Sequence, residues 1–91
     1  MATVIITLKI MPESPDIDLT ALEEKAKAEI SKFGGEVGKV EVTPIAFGLK
    51  ALNLVFVMDE AKGATDPLEE KIQALVGVNS VEVTDIRRAI G

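Results

Sequence analysis

Four stretches of this chain repeat apolar residues with a period of two and two repeat them at helical spacing. The order of those six stretches leaves few folds open. Val4, Ile6, Leu8 and Ile10 share one face of an alternating run whose other face carries Thr3, Thr7 and Lys9, the pattern of a half-buried strand. Met11 to Asp18 reads as a loop, because Pro12 and Pro15 deny it regular structure. From Leu19 onward, Leu22, Ala26, Ile30 and Phe33 recur at the spacing of a helix, with Asp16 or Asp18 placed to cap its start and Gly34-Gly35 to stop it. Val40 and Val42 alternate with Lys39, Glu41 and Thr43 as a second strand, and Pro44 marks that strand as a sheet edge or a bulge.

Leu52, Leu54, Phe56 and Met58 make a third, more buried strand, with Asn53, Val55 and Val57 on its other face. Asp66-Pro67-Leu68-Glu69 then combines an N-cap, a proline at the first helical position and an acidic residue placed for a capping box. Leu68, Ile72 and Leu75 form the stripe of a short helix ending at Gly77. Val78, Val81 and Val83 make a last strand, after which Asp85-Ile86-Arg87-Arg88 runs out to the C-terminus. Strand, helix, strand, strand, helix, strand is the split βαβ order of the ferredoxin-like α+β sandwich, an antiparallel sheet with both helices on one face. The 91 residues leave room for one such domain, residues 1–91, and no second.

Composition narrows the function. Of the aromatic residues only Phe occurs, three times, so the core must be built from Val, Ile, Leu and Ala. Cysteine is absent, which excludes disulfides and thiolate metal sites and fits a reducing, cytoplasmic setting. The apolar residues after Met1 alternate with polar ones instead of forming a signal sequence, and no run approaches a membrane span. A soluble protein without membrane contact is expected. The net charge of -5 argues against a nucleic-acid footprint, which needs clustered Lys and Arg.

Histidine is also absent, and no Gly-x-Ser-x-Gly or Ser-x-x-Lys arrangement exists, so the common nucleophile and base pairings cannot be assembled. Glu23-Glu24, Asp59-Glu60 and Glu69-Glu70 read as solvated faces, since acid–base work needs a buried, perturbed carboxyl. Asp16 and Asp18 lack the companions of a calcium loop and are better explained by helix capping. No Gly-x-x-x-x-Gly-Lys loop cradles a nucleotide, and no cofactor or metal is called for. The phosphate loop that acylphosphatases place after the first strand of this fold is replaced here by the acidic Met11–Asp16, which would repel a phosphate. Side-chain catalysis is not expected.

One segment stands out against this inert background. In Thr43–Leu52 a strand-like stretch is broken by Pro44, Phe47 and Gly48, and Ile45, Phe47 and Leu49 give the bend more apolar surface than a solvated turn requires. Phe47 either folds back as core or serves as a docking anchor, and the residues alone do not choose. Lys50 is either a solvated cation or part of the same contact. Ile5, Val55 and Val57 should face away from the helices, where scattered surface apolarity explains them better than an interface.

With Met11-Pro12-Glu13-Ser14-Pro15 before the first helix, Pro44-Ile45-Ala46-Phe47-Gly48-Leu49-Lys50 at the bend and Val81 to Arg88 at the end, nearly the whole chain resembles archaeal elongation factor 1-beta. That family is the guanine-nucleotide exchange factor of translation elongation. The resemblance implies a GTP-binding partner, elongation factor 1-alpha, touched by the hairpin through Pro44, Ile45, Phe47, Gly48 and Lys50. It also implies a basic group near the C-terminus. Eukaryotic relatives end with a lysine one residue from the end, whereas this chain ends Arg87-Arg88-Ala89-Ile90-Gly91. Arg87 or Arg88 either supplies that charge or balances an acidic body. An exchange factor needs no covalent chemistry and can work as a monomer. The rival reading is a non-catalytic ferredoxin-like module that self-associates through its open face or binds a small regulatory ligand.

Overall fold

The structure is a computed structural model and describes residues 2–89. Strand β1 (Thr3–Pro12) leads through helix α1 (Leu19–Phe33) to β2 (Glu36–Pro44) and β3 (Lys50–Asp59), then through α2 (Asp66–Gln73) to β4 (Val78–Ala89). The strands form one antiparallel sheet in the order β2-β3-β1-β4. This is the ferredoxin-like sandwich that the order of periodicities predicts.

Its core follows from those periodicities. Ile6, Leu8 and Ile10 of β1 and Leu52, Leu54, Phe56 and Met58 of β3 are buried on one face, beneath Leu22, Ala26 and Ile30 of α1 and Leu68 and Ile72 of α2. Among the described residues no polar side chain is buried with them, so the layer carries no desolvation penalty to offset. On the opposite face Ile5, Val55 and Val57 are half-buried among Thr7, Lys9 and Asn53. The edge position expected from Pro44 is observed: it ends β2, an outer strand, where a missing N–H costs no ladder bond.

The caps of α1 are also as expected. The Asp18 carboxylate accepts from the N–H groups of Thr20 and Ala21 at 3.0 and 3.3 Å, and Gly34 closes the helix in the left-handed conformation at φ 102°.

Several boundaries differ from the expectation. β1 does not stop at Ile10 but continues through Met11 and Pro12, which pair with Ser80 and Val78 of β4; Pro12 is tolerated because the register shifts beside it. Helix α2 is preceded by Thr65, not Asp66, as its cap residue, with the Thr65 hydroxyl donating to the Glu69 carboxylate at 3.0 Å. The helix ends at Gln73, and Leu75 packs against the core from the turn that follows. The largest difference is at the C-terminus. Asp85-Ile86-Arg87-Arg88 is no tail but the continuation of β4, with Arg88 opposite Val4 and Arg87 opposite Ile5. β1 is an inner strand whose outer backbone groups need partners along their whole length, and β4 provides them.

Candidate functional site

The bend between β2 and β3 is a tight turn with an unusual residue in it. Phe47 sits at φ 60°, ψ 31° and Gly48 at φ 77°, while the Leu49 N–H donates to the Ala46 carbonyl at 3.2 Å. Two consecutive positive φ angles closed by that bond make a type I′ turn, which suits the right-handed twist of a hairpin and favours Asn-Gly or Gly-Gly. Gly48 meets this requirement at no steric cost. Phe47 does not: it is the sole non-glycine residue with positive φ among those described, at a cost of roughly 1 kcal/mol. Its ring recovers nothing by packing, since the residue is 95% exposed. The core alternative for Phe47 is therefore excluded.

The stem beneath is firm. The Ile45 N–H donates to the Leu49 carbonyl at 2.7 Å, Pro44 pairs with Lys50, and the Asn53 amide donates to the Thr43 hydroxyl at 2.9 Å across the strands. Pro44, Ile45, Phe47, Gly48 and Lys50 are thus gathered at one end of the sheet and all exposed. A cleft of about 360 Å³ opens beside them, lined by the apolar Pro12, Pro15, Ile17 and Leu19 together with Ser14, Asp18, Gly48 and Lys50.

Arg87 and Arg88 lie elsewhere. They pair with β1 near its start, whereas the hairpin stands beyond its end, so about eight residues of strand, roughly 30 Å with the turn included, separate the two groups. That is most of the 42 Å long axis. The structure does not bring the two parts of the predicted site together. Each arginine already has a partner: the Arg87 guanidinium donates to Asp85 at 2.9 Å, and Arg88 places two nitrogens on one Glu60 oxygen at 2.9 and 3.0 Å. Adjacent in a strand, they point to opposite faces of the sheet, Arg87 to the open face and Arg88 to the helix side.

Reading the sequence missed Val76, which is 86% exposed in the turn between α2 and β4 at the hairpin end. Its signal was an apolar residue ahead of Gly77, outside the helical stripe. Among the described residues no group of three metal-ligating side chains converges. What the arrangement presents is a strained, displayed aromatic ring on a firm hairpin, with Lys50 at its foot and Asp18 across the cleft.

The fold is a small ferredoxin-like α+β sandwich with an exposed, apolar hairpin at one end. Residues 5–89 match the family model of the EF-1 guanine nucleotide exchange domain. The chain is 47% identical over 88 residues to Elongation factor 1-beta of Methanothermobacter thermautotrophicus, covering 97% of this chain and 98% of that one. It is 50% identical to the proteins of the same name from Methanobrevibacter smithii and Methanosphaera stadtmanae, with the same coverage of each. The chain belongs to the archaeal elongation factor 1-beta family, a family of translation elongation nucleotide exchange factors.

Solved structures show the same fold at low identity. The C-terminal domain of MgtC from Mycobacterium tuberculosis superposes with a TM-score of 0.63 at 13% identity, covering 96% of this chain and 87% of that one. The ACT domain of GTP pyrophosphokinase from Chlorobium tepidum gives 0.59 at 21%, covering 87% and 95%.

Proposed function

We propose that this protein promotes GDP release and GTP loading on elongation factor 1-alpha, the GTP-binding factor that delivers aminoacyl-tRNA. It binds the nucleotide-free partner more tightly than the GDP-bound one, and by linkage each such preference weakens GDP by the same factor. A thousandfold weakening needs about 4 kcal/mol of differential contact, within reach of a few well-placed side chains. Phe47 is the anchor, and Arg87 or Arg88 supplies charge near the magnesium and phosphate region of the partner. Disturbing a magnesium ion that bridges nucleotide and protein releases both.

The roughly 30 Å between these groups supports a two-point contact, with the sheet as a stiff strut between them. The protein works as a monomer in the cytoplasm, without nucleic acid, membrane or cofactor.

The single observation that carries this reading is Phe47, held in a strained backbone conformation and offered to solvent. Residues so held cluster at functional sites, because the strain persists only where something selects for it. Release of fluorescent GDP from elongation factor 1-alpha tests the proposal. Saturating protein should accelerate release; release at the intrinsic rate would defeat the reading.

A further inference from the structure

Val76 and the acidic loop beside it extend the docking end well past the hairpin. Among the described residues the large apolar side chains left exposed are Val42, Ile45, Phe47, Val76 and Ile86, and all but Ile86 sit at this one end of the sheet. Val42, Ile45 and Phe47 stand on the β2–β3 side of that end and Val76 on the β4 side, and apolar exposure repeated along one end is more than scattered surface. Val76, like Phe47, occupies a turn position where a polar residue would cost nothing.

The loop between β1 and α1 joins the two residues into one surface. On one side a Cβ at Gly48 would lie 3.9 Å from the Pro15 ring, and on the other a Cβ at Gly77 would lie 3.2 Å from Ile17. The Glu13 N–H donates to the Gly77 carbonyl at 2.9 Å, so the loop is pinned to the turn that carries Val76. That loop also supplies Glu13 and Asp16, neither of which takes part in an ion pair among the described residues, beside Asp18, whose carboxylate caps α1.

We infer that Val76 is a second anchor for the partner of Phe47, and that the acidic loop between them pairs with basic side chains on that partner. The inference rests on the proposed exchange function. Its occupant is therefore the GTP-binding partner, through a surface whose apolar hollows are rimmed by Lys or Arg. Charge decides against a second copy, because two bodies each of net charge -5 would meet acidic loop to acidic loop. The surface continues directly from the hairpin, and the same rigid body presents both anchors.

The experiment measures binding of the full chain to the nucleotide-free GTP-binding factor by stopped flow, with melting temperature as the control for folding. Val76→Ser should weaken affinity roughly tenfold while leaving the melting temperature in place, since the side chain is exposed. The double variant Glu13→Lys/Asp16→Lys should slow association severalfold, and the wild-type rate should fall with added salt while the variant's does not. Phe47→Ala separates the possible failures. If Phe47→Ala weakens binding and the Val76 and loop variants do not, the second anchor is overturned and the exchange reading stands. If none of them acts, the second anchor and the assignment of Phe47 as the first both fall, and the exchange reading is then decided by the GDP-release assay alone. A mass that doubles with concentration in light scattering, abolished by Val76→Ser, would assign the surface to self-association and overturn the inference.

Discussion

The two ends of this molecule are built on opposite principles. At the hairpin end the backbone is strained, the side chains are apolar and exposed, and Lys50 has no partner among the ion pairs of the described residues. At the other end the backbone is regular strand, the side chains are charged, and both arginines are held by carboxylates. An apolar anchor gains by being rigid and bare, since burying it on a partner requires no ordering and no desolvation of a charge. A cation is different: left alone it is well solvated, and a weak surface pair of at most about 1 kcal/mol parks it without committing it. Exposed apolar and charged groups are thus held at the surface by different physics, strain in the first case and weak ion pairing in the second.

The largest effect is expected from Phe47→Ala. Truncating an interface anchor costs about 2 kcal/mol or more, so nucleotide exchange should slow at least roughly thirtyfold with the fold intact. An unchanged rate would leave the strained turn without a purpose. Next in size are the arginines. Because Arg87 and Arg88 face opposite sides of β4, a partner seated on one side meets one of them. Single alanine variants should then differ, one near wild type and the other about tenfold slower in exchange. Equal small losses would reduce both to long-range charge.

Phe47→Asn sharpens the contrast from the side of stability. Asparagine accepts the left-handed conformation that Phe resists, so thermal unfolding should show a gain of about 1 kcal/mol, or roughly 4–8 °C, while exchange is lost. A less stable variant would mean that the ring contributes to the free fold. The smallest effect is expected away from both ends, on α1. There the Lys27 amine is held above its ordinary 10.5 by its hydrogen bond to Glu23, 2.9 Å away, with the charges of Glu23 and Glu24 adding to the effect. A raised lysine stabilises the fold at and below its ordinary value and loses that contribution as pH climbs through the raised one. Glu23→Gln should therefore lower the Lys27 titration midpoint seen by NMR and leave melting at neutral pH nearly unchanged.

Particular elements show how far the residues alone could be read. The spacing of Leu22, Ala26 and Ile30 specifies α1 and Gly34 its end, because helix periodicity and capping are local, while the choice of Asp18 over Asp16 as the cap is visible only in the structure. The alternation in β1 and β3 announced the core face in the same way. Where the outcome depended on a neighbour, the reading stopped short. Asp85 to Arg88 carry too little apolar pattern to declare a strand and become one because β1 needs hydrogen-bond partners. The residue types predict Asp66 as the cap of α2, whereas the cap position falls to Thr65, whose hydroxyl donates to Glu69. Val76 gave no periodic signal at all.

The split βαβ order and the composition of the core are written in the residues themselves, since both follow from residue type and spacing along the chain. Only the tertiary structure decided that Phe47 stands outside the core on a type I′ turn, that Val76 shares its end, and that Arg87 and Arg88 lie roughly 30 Å away. Those facts concern exposure, backbone handedness and distance, which arise only when strands far apart in the chain are laid side by side.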